Sequence, residues 1–207
     1  MAEKANKVKF NLKNTHYALL TLGEDGTPTF GTPVPMPGSV SISLDANGEP
    51  ENFYADGGVY YVINNNCGYD GDLELALIPE SFRTDVLKET LDSKGVLIEN
   101  SEVELAAFAL LFEFDGDQKH IRHVLYNCSA SRPGIEGKTN EDSKEVQTEK
   151  LSLKAVPLGN GMVKAKTGNT TDATTYTNWY KAVYMPTAEN TDISPQSAAK
   201  NTKVVKE

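Results

Sequence analysis

The chain has 207 residues, with 20 Lys and Arg against 29 Asp and Glu, which gives a formal net charge of −9. A chain of this length buries roughly 70% of its unfolded surface, so it needs neither a disulfide nor a metal to hold a core. The acidic balance disfavours proteins that grip DNA or an anionic membrane, because such binding relies on cationic side chains. With no apolar run near the ~20 residues of a membrane span and no apolar signal segment at the start, we expect a protein made in the cytosol without a membrane partner.

Alternating apolar and polar residues dominate the first part of the chain and predict β-strands. Residues 8–12 predict an N-terminal strand or an extended arm. The segment 39–44 predicts a half-buried strand with Val40, Ile42 and Leu44 on its inner face.

Residues 45–72 are dense in Gly, Pro, Asn and Asp, which predicts a long turn-rich loop. Within it, short strands are expected at 53–54 and 59–63, joined through Asp56-Gly57-Gly58. A tight turn of this kind needs positive φ, which glycine adopts at no steric cost. Long irregular segments in compact domains usually have a function, so this loop is a candidate interaction element.

The clearest helical pattern is PESFRTDVLKETL, residues 79–91, where Phe82, Val86 and Leu87 form an apolar stripe over about three turns. Strand patterns return afterwards. The segment 103–114 is apolar on both faces, which is typical of a central strand covered on each side, and it continues into a long hairpin that ends near residue 132.

A second hairpin is predicted between residues 148–158 and 162–168, because Asn160-Gly161 is a strong tight-turn signal. Residues 176–186 are expected to close the fold as a short helix or strand that holds Trp179. These patterns predict one mainly β domain over residues 1–186 with a single helix. Residues 187–207 are polar and contain proline, which predicts a flexible C-terminal tail.

Residues with reactive or ligating side chains do not form a recognisable site. His120 and His123 lie three apart on a predicted strand, so they face opposite sides and we expect no metal. A calcium loop at residues 45–56 is disfavoured because its glycine is misplaced. Cys67 and Cys128 are far apart and are expected to pack as separate thiols. Nucleotide-binding and hydrolase motifs are missing from the sequence, so we expect neither a cofactor nor catalysis.

One acidic pattern remains, in which Asp70, Asp72 and Glu74 alternate with apolar residues. Carboxylates on one strand face could serve in hydrolysis. A solvated outer face is the favoured interpretation, because the alternating leucines face the other way; these are Leu73, Leu75 and Leu77.

Several segments, taken in order, resemble the major tail protein, or tail tube protein, of long-tailed bacteriophages, in the branch common among phages of Gram-positive bacteria. The segments are THYALLTL, PVPMPGSVSISLDANGE, NFYADGGVYYVINNNCGYDGDLELALIPESF, FALLFEFDGD, RHVLYNCSASRP and TNWYKAVYMP, and together they span about residues 15–186.

This resemblance implies two packed antiparallel sheets, as a β-sandwich or rolled barrel, with one flanking helix, an extended N-terminal arm and a long loop. It also implies hexameric rings that stack into a tube, with the arm and the loop bridging rings. The partners implied are further copies of the chain, tail terminator and tail-tip or tape-measure proteins, and double-stranded DNA that passes through without specific binding. The protein would be assembled in the bacterial cytoplasm and end in the virion.

Two sets of candidate residues follow from the resemblance together with the turn-rich composition. Carboxylates on outward strand faces are expected to give a negative lumen that repels DNA, with Glu74, Glu104 and Glu113 as candidates. Inter-ring contacts are assigned to the arm, the long loop and its flank: Val8, Phe10, Leu12, Phe53, Tyr54, Asp56, Tyr60, Tyr61 and Tyr69.

Three other functions remain open at this stage. The first is a carbohydrate- or receptor-binding β-sandwich, whose aromatic side chains would stack on sugars. The others are a tube of a contractile injection device, which would share the architecture, and a hydrolase with a dispersed site. The aromatic candidates for the binding module are Tyr54, Tyr60, Tyr61, Tyr69, Trp179 and Tyr180.

Overall fold

A computed structural model describes residues 5–140 and 144–186, and the predicted tail at 187–207 lies outside them. The two helices are α1 (Glu80–Asp85) and α2 (Ala173–Asn178). The strands are β1 (Lys9–Leu22), β2 (Pro28–Phe30), β3 (Val34–Pro35), β4 (Ser39–Asn47), β5 (Glu51–Ala55), β6 (Gly58–Ile63), β7 (Gly68–Leu75), β8 (Thr90–Leu91), β9 (Leu97–Ile98), β10 (Phe108–Gly116), β11 (Ile121–Ala130), β12 (Glu149–Ala155) and β13 (Lys164–Lys166).

The architecture is mainly β, as expected, and centres on one large antiparallel sheet. Its strand order is β2-β1-β10-β11-β12-β7-β4, while β3 pairs with β1 and β13 with β11. Two further sheets have two strands each, β5–β6 and β8–β9. The large sheet is rolled, since side chains from β1, β7, β10, β11 and β12 share one apolar core with α1.

The central strands β10 and β11 are covered on both faces. The strand predicted over residues 103–114 is confirmed only from Phe108 onward, since residues 103–107 are not in a strand. One face contributes Phe108, Leu110 and Phe112 to the main core. The opposite face contributes Ala109 and Leu111 to a second core, which is covered by residues 158–185. We call residues 167–185, which follow the last strand of the sheet, the C-terminal strap.

The helix predicted over residues 79–91 is shorter in the structure. Helix α1 is six residues long, and Lys88 adopts a positive φ of 60° three residues after its end. The predicted stripe is nevertheless buried, at Phe82, Val86 and Leu87. Val86 and Leu87 are therefore packed in the core although they lie beyond the end of the helix. The structure also contains a second helix, α2, which begins after the Asp172 cap.

Of the two predicted long hairpins, only the first is confirmed. Strands β10 and β11 pair antiparallel with Leu110 opposite Leu125. Strands β12 and β13 do not pair with each other, because both pair with the same edge of β11. The Asn160-Gly161 turn forms, and the Gly161 N–H donates to the Leu158 carbonyl at 2.8 Å. The turn lies in a loop between β12 and β13. Because both strands run antiparallel to β11, the chain continues in the same direction after this loop.

Two apolar side chains expected to face inward are exposed. The pairing of β4 with β7 contains a register shift between Ser39 and Ser41, which leaves Val40 exposed. Strand β7 ends at Leu75, so the alternation stops there, and Leu77 is 68% exposed while the next residue is buried. Within β7 a glycine is required at position 71, since a Cβ there would lie 1.9 Å from the Ser43 carbonyl oxygen.

Candidate assembly surfaces

The predicted long loop contains a two-stranded hairpin that projects from the end of the large sheet. Ala55 pairs with Gly58 across a two-residue turn of Asp56 and Gly57, whose φ angles are 53° and 81°. Two positive φ angles are the signature of a type I′ turn, whose twist matches that of paired strands. The two short strands and their turn are thus confirmed. We call residues 49–66 the projecting hairpin.

Every side chain of the projecting hairpin except Ala55 is exposed to solvent. Tyr60 is 71% and Tyr54 65% exposed, although both belong to residue types that normally bury most of their surface. The apolar residues exposed on β5 and β6 are Phe53, Tyr54, Val59, Tyr60, Tyr61, Val62 and Ile63. An isolated two-stranded hairpin is marginally stable in water, and an exposed apolar patch of this kind is a candidate interaction surface.

The base of the hairpin is tightly tied to the sheet. The Cys67 N–H donates to the Asn47 carbonyl at 2.9 Å, and Asn47 pairs with Gly68 in the β4–β7 ladder. A Cβ at Gly48 would lie 2.6 Å from the Asn65 carbonyl oxygen, so only glycine fits there. The hairpin therefore leaves the sheet through a narrow and defined neck.

The predicted N-terminal arm is a strand of the large sheet and does not extend away from it. Lys9 pairs with Gly116 at the end of β10. The Asn6 side chain accepts hydrogen bonds from two N–H groups of the β10–β11 turn, at 2.8 and 3.0 Å, and fastens this segment further. Val8 and Phe10 are exposed, whereas Leu12 is half-buried against the main core.

The remaining hairpin-side candidate, Tyr69, is half-buried beside a cleft between the two halves of the rolled sheet. The cleft encloses about 340 Å³. Its floor is apolar and includes Phe112 and Leu125, which are almost fully buried. Two ammonium groups lie at its rim, those of Lys9 and Lys164. We call it the Lys9–Lys164 cleft.

His123 occupies one side of this cleft and stacks on Phe112, with ring centres 5.1 Å apart and planes within 5°. Burial, followed by the charges of Lys166, Lys9 and Lys164, lowers the pKa of His123 to about 4. The imidazole is therefore neutral at pH 7. Sequence patterns did not indicate this cleft, because its residues come from six separate strands and share no local spacing.

A second surface, on β4, β7 and β12, is polar and consists of carboxylates held by hydroxyl groups. Ser41 and Thr148 donate to the two oxygens of Glu74 at 2.8 and 2.6 Å. Ser152 donates to Asp72 at 2.7 Å. Hydrogen bonds from Thr148 and then Ser41 hold the pKa of Glu74 below its usual value, so it stays ionised. We call these five residues the hydroxyl–carboxylate face.

Of the three carboxylates assigned to a lumen, Glu113 does not face outward. The residue is only 1% exposed and accepts hydrogen bonds from Arg122 at 2.9 Å, Asn14 at 2.6 Å and Tyr180 at 3.1 Å. The C-terminal strap covers this side of β10, which is why the outward assignment is wrong. Glu104 is exposed in the segment before β10.

The strap is fastened by polar contacts of its aromatic residues. Trp179 is 2% exposed, and its indole N–H donates to the His123 carbonyl at 3.4 Å. The Arg122 guanidinium lies 3.9 Å from the Tyr176 ring centre. Burial, followed by the charge of Glu113, raises the pKa of Tyr180. Sequence reasoning missed Arg122 because nothing local distinguishes it from a surface cation.

Other kinds of site find no support among residues 5–140 and 144–186. No group of three or more His, Cys, Asp and Glu side chains in these ranges could hold a metal. Within the same residues, neither helix has the length and apolar character to cross a membrane. Cys67 is exposed and Cys128 is buried, so the two thiols are separate, as expected.

Comparisons with known proteins leave the family open. No protein-family model matches the chain. No curated protein matches it either. Among solved structures, it is similar to one described as the cryo-EM structure of the anti-feeding prophage cap, an AFP tube terminating cap. The TM-score is 0.43 at 8% sequence identity, over 80% of this chain and 95% of that one.

Proposed function

We propose that this chain is a structural protein of a phage tail, whose copies polymerise as stacked hexameric rings into the tail tube. The projecting hairpin is the observation that carries the proposal. An apolar two-stranded hairpin with both faces in water lacks the cover that makes such hairpins stable. A neighbouring copy of the chain would supply that cover, and aromatic side chains of this kind are enriched where proteins associate.

The sequence resemblance to tail tube proteins supports the same function, since it rests on segments distributed along the chain as well as on the hairpin. In this proposal the hairpin residues Phe53, Tyr54, Tyr60 and Tyr61 contact a neighbouring ring, together with the exposed Val8 and Phe10 of β1. The role is structural and not catalytic, and the partners are further copies and the proteins at the two ends of the tail.

The hydroxyl–carboxylate face is proposed to line the lumen. Its carboxylates are oriented by neighbouring hydroxyls, so it offers DNA a hydrated wall of negative groups. The neighbouring Lys150 ammonium lies 3.7 Å from the Asp72 carboxylate, which competes with DNA phosphates for it. Asp72 and Glu74 are the central groups, and Glu104 remains a candidate.

Size-exclusion chromatography with light scattering, followed by negative-stain microscopy of each peak, tests the proposal. We expect a concentration-dependent shift from monomer to rings or hollow tubes. The negative control is the variant Phe53→Ser with Tyr60→Ser, which removes apolar surface from the hairpin without touching the core. We expect this variant not to form tubes. A monomer that persists at high concentration, even with tail-tip proteins added, would refute self-assembly.

The alternative is a carbohydrate- or receptor-binding module, favoured by the exposure of Tyr54, Tyr60 and Tyr61 on one element. Exposed tyrosines stack well on sugar rings, as they do on other flat surfaces. Trp179 and Tyr180 cannot contribute, because the first is buried and the second is bonded to Glu113. Glycan binding by a strictly monomeric protein would favour this alternative.

A further inference from the structure

The Lys9–Lys164 cleft is open to groups from another molecule. Its volume of about 340 Å³ is within the ~300–1,000 Å³ typical of ligand sites, so side chains can enter it. Its apolar lining includes Ile42, Leu44 and Phe114, which are packed against the main core but only half-buried. Covering these side chains would remove further apolar surface from water, which favours binding of an apolar group.

The two lysines at the rim have no acidic partner within the described ranges. No carboxylate of residues 5–140 or 144–186 forms an ion pair with Lys9 or Lys164. Instead, Lys9 Nζ lies 4.6 Å from the ring centre of Phe114, and Lys164 Nζ lies 4.2 Å from that of Tyr69. An apolar floor with a cationic rim fits a ligand that carries both apolar and carboxylate groups.

The projecting hairpin has this complementary character. Residues 14–82 contain ten Asp and Glu and no Lys or Arg, and the hairpin lies in the middle of this range. Asp56 is at its tip and Glu51 is at the start of β5, while the side chains between them include two exposed aromatic rings. Hairpin and cleft are therefore opposite in charge and alike in apolar content.

The hairpin of the same copy does not fill the cleft. Tyr69, which lines the cleft, directly follows Gly68 at the hairpin base, so the two surfaces begin close together. The hairpin nevertheless projects with its side chains exposed, and the narrow neck at Gly48 fixes its departure from the sheet. An occupant from another copy satisfies both surfaces without bending this neck.

We propose that the projecting hairpin of one copy docks into the Lys9–Lys164 cleft of the next, with its aromatic side chains on the apolar floor and its carboxylates paired with the two lysines. This inference rests on the proposed function and adds the surface that receives the hairpin. Because the contact joins two different surfaces, each bound copy still offers a free hairpin and a free cleft. Such heterologous contacts continue into rings or filaments.

A mixing experiment with two defective variants tests the contact. In the first variant, residues 48–67 are replaced by Asn-Gly, which joins the paired residues Asn47 and Gly68 by a two-residue turn. The second variant is Lys9→Glu with Lys164→Glu, which keeps the hairpin and reverses the rim charge. We expect neither variant alone to form tubes, and the mixture to form a complex with equal numbers of the two variants that grows no further, because only one intact hairpin and one intact cleft remain per pair.

The control is Lys94→Glu with Lys181→Glu, which makes the same charge change at two exposed positions away from the cleft. We expect it to assemble like the unaltered chain. Circular dichroism and thermal melting establish that all variants are folded before mixing. Light scattering then measures the mass of each sample and of the mixture.

Each outcome separates the docking proposal from the assembly proposal. If the unaltered chain forms tubes and the Lys9→Glu/Lys164→Glu variant forms them equally well, docking in the cleft is wrong and assembly stands. A mixture in which the two variants do not associate also overturns docking. Failure of the unaltered chain and the control to assemble refutes both proposals.

Discussion

The projecting hairpin and the C-terminal strap are both rich in aromatic residues and both leave the large sheet, yet they have opposite environments. The strap lies on the sheet with Trp179 buried, and its backbone and side chains bond to β11. The hairpin has Tyr60 and Tyr54 in solvent. Aromatic content alone thus does not decide whether a segment belongs to the core or to an interface.

The difference comes from the polar groups that face each segment. Beneath the strap, Arg122 and Glu113 form a buried ion pair that needs the Tyr180 hydroxyl and the Tyr176 carbonyl as further partners. A buried charge left without its partners is costly, so the strap is held in place. The hairpin faces no such groups on its own subunit. It is therefore free to be covered by another molecule.

The largest expected effect is from removing the hairpin. Replacement of residues 48–67 by Asn-Gly should abolish the stacking of rings into tubes while leaving the free energy of unfolding within about 0.5 kcal/mol, because no core side chain is lost. Negative-stain microscopy and urea unfolding measure the two effects. Tubes of normal length and yield would contradict the assignment of this element to assembly.

Glu113→Gln probes the opposite region. It leaves the Arg122 guanidinium, whose side chain is only 15% exposed, without its counter-charge, and we expect a loss of about 3 kcal/mol of unfolding free energy. The matched control is Glu99→Gln at the exposed Glu99–Arg132 pair, where a loss below about 1 kcal/mol is expected. Equal losses in urea unfolding would show that the buried pair does not fasten the strap.

The free energy of unfolding should also decrease as the pH is lowered, because His123 takes up a proton more readily in the unfolded chain. Its folded pKa of about 4 lies below the unfolded value of 6.5, so protons bind the unfolded chain first as the pH falls below 6.5. The linkage amounts to about 2 kcal/mol between pH 7 and pH 4.5. His16, whose pKa is lowered by burial, adds to the same trend. His123→Gln should flatten the pH profile of urea unfolding, and an unchanged slope would contradict this origin.

The smallest expected effect on the fold is from charge reversal on the hydroxyl–carboxylate face. Asp72→Lys with Glu74→Lys should leave tubes intact but slow DNA release from particles, on the order of several-fold, because lysines would bind phosphates as DNA passes. Glu145→Lys, in the exposed loop before β12, is the control. An unaltered release rate in the double variant would remove this face from the lumen.

Local chemistry in the sequence determined the elements whose causes are local. The Asp56-Gly57 turn formed as predicted because positive φ is a property of those residues. The mainly β content and the doubly covered strand β10 followed from apolar spacing alone. The apolar stripe at Phe82, Val86 and Leu87 was also found buried.

Only the tertiary structure decided which strands pair, which charges are buried and where the aromatic residues lie. The Asn160-Gly161 turn formed, but β12 and β13 each found β11 instead of each other, since pairing partners are chosen by the whole sheet. Glu113 was predicted to face outward, but it is buried because the strap covers this side of β10. The Lys9–Lys164 cleft joins segments more than 100 residues apart, and local sequence carries no trace of a contact made across the rolled sheet.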